Sequence, residues 1–424
     1  MIAKFIYNLL APLYFIFVFP YYFLKILKRG DVKNYLKQRL GIYSDDLKLK
    51  INEKRCVWIH AVSVGEMYVA INFLNRAREY YNNVNYVISS TTPTAYKILS
   101  SNKKDNDISI YFPFDFYWII KKVIKKINPI EVILVESECW PNLIWQLSKN
   151  SIPISLINGR VSQETFNRYT NFLWFSKNIF SCLNKCIMQQ AIDAERLVLL
   201  GANPDKVLVS GNLKFDYSHD LPDRKLLDLF GRMKKNNQKV ILASSTWPGE
   251  ELIMAKVWKK LKIEFPSLIL ILVPRHIERS PVIIKELKNI GCEVVLRSNP
   301  INNEDINIWL LDSTGELQSL YNDTDIVFVG KSLYEKGGQS PIEAASRGCV
   351  LITGPNMNNF QMEADLADEH KARIIIHDEK SLEEELTHLL RNHEYLENMS
   401  LASKKMYEAG KGGINKTLDS LYGI

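Results

Sequence analysis

Residues Ile326–Pro355 read IVFVGKSLYEKGGQSPIEAASRGCVLITGP. Ile326-Val-Phe-Val is a short β-branched apolar run without polar alternation, the pattern of a strand buried on both faces of a parallel sheet. A loop carrying Gly337-Gly338 follows. Ser340 then stands at an N-cap position, Pro341 at N1 and Glu343 at N3, opening a small-residue helix that Gly348 stops. Val350-Leu-Ile-Thr is the next strand. A glycine loop entering a helix aims unpaired backbone N–H groups at one spot, which suits a phosphate. Ser340-x-x-Glu343 is equally a capping box, in which the carboxylate only satisfies the Ser340 N–H.

The same alternation extends in both directions. Upstream of this stretch, Val240-Ile-Leu-Ala-Ser, Leu268–Val273, Glu293–Leu296 and Asn307–Leu311 read as strands separated by helical patterns. From Leu382 onward the pattern is helical, with no further strand signal. Earlier in the chain the expected strands are Val57–Val62, Asn85–Ser89, Ile108–Phe114, Glu131–Val135, Pro153–Ile157, Lys185–Met188 and Lys206–Val209. Strands alternating with helices specify an α/β class with doubly wound parallel sheets. The polar stretch SHDLPDRKLLDLFGRMKKNNQ, residues 218–238, is the candidate linker. The division expected is 1–29, 30–217, 218–238, 239–400 and a helical tail at 401–424. Two Rossmann-like domains facing a cleft, with a helix ahead of them, fit the GT-B architecture, which alone does not fix a function.

That leading segment, Phe5–Leu24, reads FIYNLLAPLYFIFVFPYYFL, with Lys4 before it and Lys25, Lys28 and Arg29 after it. It is long enough to cross a bilayer, while Asn8, Pro12, Pro20 and the many aromatic residues suit the interface. It lacks a small-residue cleavage site. The sequence points to a membrane anchor, spanning or lying in one leaflet, with the body on the cytoplasmic side. Residues 1–60 carry 11 Lys and Arg against 4 Asp and Glu, which accounts for the whole formal charge of +7. A nucleic-acid enzyme carries basic patches through its body, so that class is set aside. The six cysteines contain no CxxC pair and no zinc spacing, and reduced core thiols are expected.

In doubly wound sheets, ligands bind beyond the carboxyl ends of the strands. The residues there are polar: His60–Glu66, Ser90–Thr92, Pro113–Asp115, Glu136–Glu138, Asn158–Arg160 and Gly211–Lys214. Glu66 is a candidate general base, though Ser63-x-x-Glu66 is also a capping box. Glu136 follows an apolar strand and precedes Trp140-Pro141; it serves a cleft or simply pairs with a nearby Lys or Arg. His60 reads as a core histidine. Asp323-Thr-Asp325, which has the look of a metal-binding DxD, sits at the turn into a strand and reads as that turn.

Assembled, these residues resemble a 3-deoxy-D-manno-octulosonic acid (Kdo) transferase of lipopolysaccharide and lipid A biosynthesis, along essentially the whole chain. The motifs are HAVSVGE (His60–Glu66), ESECWPNL (Glu136–Leu143), NGRVS (Asn158–Ser162), GNLKFD (Gly211–Asp216) and ASSTWPGEE (Ala243–Glu251). Pro274-Arg275-His276, Thr314-Gly-Glu316 and GGQSPIE (Gly337–Glu343) complete the set. Two positions depart from the family's usual pattern: Trp247 stands for a His, and Gln339-Ser340 for His-Asn. The resemblance implies transfer of Kdo from CMP-Kdo to a tetraacyl lipid A precursor at the cytoplasmic face of the inner membrane. It implies Glu66 as catalytic base, with Glu136 and Lys214 stabilising the transition state. It further implies that 30–217 binds the acceptor and 239–400 the CMP-sugar. Pro274, Arg275, Thr314, Gly315, Glu316, Ser340, Pro341, Ile342 and Glu343 would line the CMP site, with no metal and no cofactor. The partners implied are CMP-Kdo, the lipid A precursor and the membrane. Alternatives are another GT-B membrane transferase using a UDP-sugar, a nucleotide-sugar epimerase of the same fold, and a noncatalytic membrane-tethered binding protein.

Overall fold

A computed structural model describes residues 2–27, 32–80, 84–104, 107–216, 238–299 and 307–423 of the 424-residue chain. The expected linker, 218–238, lies outside the described residues except for Gln238, as do Lys28 and Arg29 of the basic flank. The chain divides into two compact units, 1–218 with 411–424, and 219–410.

The first unit is built on β1 (Cys56–His60), β2 (Asn85–Ser90), β3 (Asp107–Tyr111), β4 (Pro129–Val135), β5 (Ile154–Gly159), β6 (Lys185–Met188) and β7 (Val207–Val209). They form one sheet in the order β3-β2-β1-β4-β5-β6-β7, parallel throughout. Along β1 the side chains alternate between two cores: Cys56 and Trp58 enter one, Val57 and Ile59 the other. Both faces of the strand are thus covered, which explains its unbroken apolar sequence. The chain's last helix, Gly413–Tyr422, belongs to this unit. Ile414, Leu418 and Leu421 are buried in the second core, each worth about 1.5–3 kcal/mol. The Asp216 carboxylate accepts from the Gly412 and Ile414 N–H groups at 2.7 and 2.6 Å. At the other end of the helix, the Lys185 ammonium donates to the Ser420 and Leu421 carbonyls.

The second unit repeats the plan with β8 (Val240–Thr246), β9 (Ile269–Pro274), β10 (Val295–Leu296), β11 (Ile308–Leu310), β12 (Ile326–Val329), β13 (Val350–Thr353) and β14 (Arg373–Ile375). The order is β10-β11-β9-β8-β12-β13-β14, again parallel. The strand β14 was not expected from the sequence. It is a short edge strand whose Arg373 turns back to Asp368, at 2.6 Å, so it lacks a long apolar run. In both sheets the winding reverses beside the first strand, between β1 and β4 and between β8 and β12.

Ile2–Leu27 forms a helix, but no helix among the described residues is long and apolar enough to cross a membrane. The structure thus does not confirm the anchor expected of this segment. One side of the helix is committed to the first unit: Ala3 is buried, the Tyr7 hydroxyl donates to Asp115 at 2.9 Å, and Asn8 bonds Asn142 at 3.0 Å. Phe15 packs edge-on against Phe114 and Phe116. Ile2, Phe5, Leu9, Leu13, Ile16 and Phe17 are exposed on the remaining surface.

Candidate active site

The reversal between β1 and β4 puts two loops side by side at the carboxyl edge of the first sheet. After β1, Ser63 caps the helix Val64–Ala77 by accepting from the Glu66 N–H at 3.2 Å. The Glu66 carboxylate bonds back to the Val62 N–H at 2.8 Å, one residue earlier than a capping box requires. Glu66 is buried, at 8% exposure. That burial, followed by the nearby Glu136 charge, raises its pKa above the ordinary glutamate value.

After β4, Glu136 adopts a left-handed backbone, φ +61°. Left-handed backbone is uncommon in a non-glycine residue. Its carboxylate pairs with the Lys214 ammonium at 2.7 Å, with 17% and 32% of the two side chains exposed. The ion pair expected of Glu136 is made with Lys214. The lysine stem crosses the first turn of the Glu66 helix: a Cβ on Gly65 would stand 3.9 Å from the Lys214 Cε. Glu66, Glu136 and Lys214 are therefore brought together.

Two neighbours carry roles the sequence did not disclose. Asn158, fully buried with φ +51°, donates to Glu136 at 3.4 Å and accepts from the Leu213 N–H at 2.9 Å. It binds the GNLKFD loop to the carboxylate its lysine serves. An Asn-Gly pair ending a strand, a combination that tolerates left-handed backbone, was the available signal. Glu138 has its pKa pushed up to about 7, by burial first and then by Glu66 and Glu136, against a bond from Trp140. His60 is a core histidine. Its Nε2 accepts from the Trp140 indole at 3.1 Å, so Nδ1 carries the proton toward Ser89, and burial pushes its pKa down to about 3.

In the second unit the expected CMP-site residues fall at or just beyond the carboxyl ends of the strands. Pro274 ends β9, and the Arg275 N–H bonds the Thr246 carbonyl while its side chain is exposed. Thr314 and Gly315 lie exposed after β11, with Gly315 at φ +87°. Glu316 pairs with Arg297 at 3.0 Å. The Ser340 capping box is not formed. Pro341 is the N-cap, the helix Ile342–Ser346 has only five residues, and Glu343 accepts instead from Gln318 at 2.9 Å. So short a helix has little dipole to offer a phosphate. Burial raises the Glu343 pKa. Asp325 accepts from Lys239 and the Val240 N–H, consistent with a turn entering β12.

In the Gly-Glu-Glu run after β8, both carboxylates are fully buried. Glu250 accepts four backbone N–H groups, from Trp247, Lys331, Ser332 and Leu333, at 2.8–3.2 Å. It ties the loop after β8 to the loop after β12 across the reversal. Glu251 holds Arg279 through two bonds at 2.8 and 3.0 Å. Trp247, the departure from the family pattern, lies under the Lys331 ammonium at 4.3 Å, and its indole N–H has no partner.

Two parallel doubly wound units, with Glu66, Glu136 and Lys214 clustered at one reversal and a braced loop pair at the other, have the GT-B plan. The fold is shared with UDP-GlcNAc 2-epimerase from Neisseria meningitidis, at a TM-score of 0.62 and 15% identity, covering 87% of this chain and all of that one. A family model described as 3-deoxy-D-manno-octulosonic-acid transferase (kdotransferase) matches residues 34–217. The 3-deoxy-D-manno-octulosonic acid transferase of Haemophilus influenzae is 29% identical over 397 residues, 93% of this chain and 92% of that protein. The Rickettsia prowazekii transferase is 30% identical over 337 residues, 79% of this chain and 72% of that protein. The chain belongs to the Kdo transferase family.

Proposed function

We propose that this Kdo transferase moves Kdo from CMP-Kdo to the phosphorylated tetraacyl lipid A precursor at the cytoplasmic face of the inner membrane. The transfer inverts the anomeric centre and uses no metal. The observation that carries the reading is the juxtaposition of a buried Glu66 of raised pKa with the Glu136–Lys214 pair. An acceptor hydroxyl is a weak nucleophile, and Glu66 takes its proton as the new bond forms, worth roughly 10²–10⁴-fold. As the sugar–phosphate bond breaks, positive charge grows on the sugar and negative charge on CMP. Glu136 faces the former; Lys214, paired with it, stabilises the latter. A single displacement requires no covalent intermediate. On this reading Pro274–Arg275, Thr314–Glu316 and Ser340–Glu343 hold the nucleotide, and the Glu250 brace keeps the loops around it in register.

The exposed apolar side of the helix Ile2–Leu27 supports contact with one leaflet, lying in the interface, where the acceptor's acyl chains remain. The test is incubation with CMP-Kdo and the tetraacyl disaccharide, followed by mass spectrometry. A product heavier by one or more Kdo residues is expected, with release of CMP. Turnover of UDP-sugars in place of CMP-Kdo, or release of free sugar without transfer, refutes the assignment.

A further inference from the structure

Away from this cluster, a cavity of about 410 Å³ opens on the first unit, lined by Tyr43, Lys48, Ile51, Lys122, Lys125 and Lys126. Lys122, Lys125 and Lys126 lie at i, i+3 and i+4 on the helix Tyr117–Ile127 and share a face. Lys48 enters from the helix Asp45–Glu53. The Lys126 ammonium donates to the Gly41 carbonyl at 3.0 Å and lies 5.7 Å over the Tyr43 ring. Burial, and then repulsion from Lys122 and Lys48, lowers its pKa. Asp45 pairs with Lys48 at 2.7 Å, but on the solvent side, its own side chain 91% exposed.

Tyr43 is itself 3% exposed, and its hydroxyl is buried with no hydrogen-bond partner. A cavity lined by four lysine side chains and by a tyrosine whose hydroxyl is orphaned suits an oxyanion, which the ammonium groups can bond. The floor, the Tyr43 ring and Ile51, is apolar.

The location separates this cavity from the chemistry. Ile51 and Lys126 precede β1 and β4, at the amino edge of the sheet, whereas Glu66 and Glu136 follow the same strands at the carboxyl edge. Seven residues of β4 place the two edges about 20 Å apart.

We propose that Lys48, Lys122, Lys125 and Lys126 around Tyr43 form a second binding site, for a phosphate-bearing ligand whose apolar portion rests on Tyr43 and Ile51. The phosphate belongs to a lipid headgroup or to a soluble phosphate monoester, and calorimetric titration of the full chain distinguishes them. Probes are dihexanoyl phosphatidic acid below its micellar concentration, glycerol 3-phosphate, and dihexanoyl phosphatidylcholine as a control whose headgroup has no net charge.

Binding of phosphatidic acid but not the control is expected, weakened about tenfold or more in a Lys122→Gln/Lys125→Gln variant, the scale of losing a charge-assisted hydrogen bond. Both lysines are exposed, so melting temperature and Kdo transfer should not change. Tyr43→Phe should weaken binding without loss of stability, since the hydroxyl it removes has no partner. Equal affinity for glycerol 3-phosphate would assign the site to soluble monoesters. Binding of neither phosphate probe, or equal binding by wild type and double variant, overturns the proposal.

Discussion

Replacing Glu66 by glutamine tests the chemistry while leaving the geometry in place. The Gln amide oxygen can still accept from the Val62 N–H, now met by the carboxylate at 2.8 Å, and the side-chain volume is preserved. What disappears is proton acceptance. A well-placed general base contributes roughly 10²–10⁴-fold, which at 1.36 kcal/mol per decade is about 3–5 kcal/mol of barrier. The folded protein should not suffer. Burial and Glu136 raise the Glu66 pKa, so the folded state binds its proton more tightly than the unfolded chain does. Ionised Glu66 therefore costs stability above its folded pKa, and that cost fades as pH falls through it. The neutral amide should be as stable as wild type at pH 7, or more so, by denaturant unfolding. The rate assay is CMP release against pH with acceptor present. Wild-type kcat should climb with pH as Glu66 ionises, and the variant should lack that limb and fall at least a hundredfold. Turnover within a few-fold of wild type, or an unaltered acid limb, would remove Glu66 from the role of base.

Three further substitutions probe the scaffold. Asn158→Ala should cost about 1–3 kcal/mol in denaturant unfolding, because it orphans the buried Leu213 N–H, and should lower kcat by loosening Glu136. Equal stability would show the bond to be dispensable. Glu250→Gln places an NH2 among four backbone N–H donors and should destabilise the second unit by about 2–4 kcal/mol, seen as a lower melting temperature. His60→Gln should be less stable than wild type near pH 7. His60 is held neutral with a folded pKa of about 3, so its advantage should shrink as pH falls from about 6.5 toward that value. A stability gap that does not change with pH would contradict this.

Much of the sheet framework was present in the spacing of apolar runs along the chain. Lys185–Met188, Ile326–Val329 and Val350–Thr353 form strands with the expected bounds, because strands covered on both faces read as near-continuous apolar runs. The candidate residues were legible for a related reason: ligands meet doubly wound sheets where strands end, and polar side chains following apolar runs mark those ends. β14 escaped because an edge strand of three residues with Arg373 in it carries too little apolar signal.

Tertiary structure decided the rest. Ser340-x-x-Glu343 and Ser63-x-x-Glu66 share one local pattern, yet Ser63 caps a helix while the former meets Gln318, a partner 25 residues away. Local sequence cannot choose between a carboxylate's neighbour in the chain and its neighbour in space. The helical character of Gly413–Tyr422 was visible, but its packing on the first unit depends on Asp216 and Lys185, about two hundred residues earlier. The leading helix, too, was apolar enough in sequence to suggest crossing a bilayer. Its Tyr7 and Asn8 have polar partners on the body, and those contacts, made across more than a hundred residues, hold one side of it there.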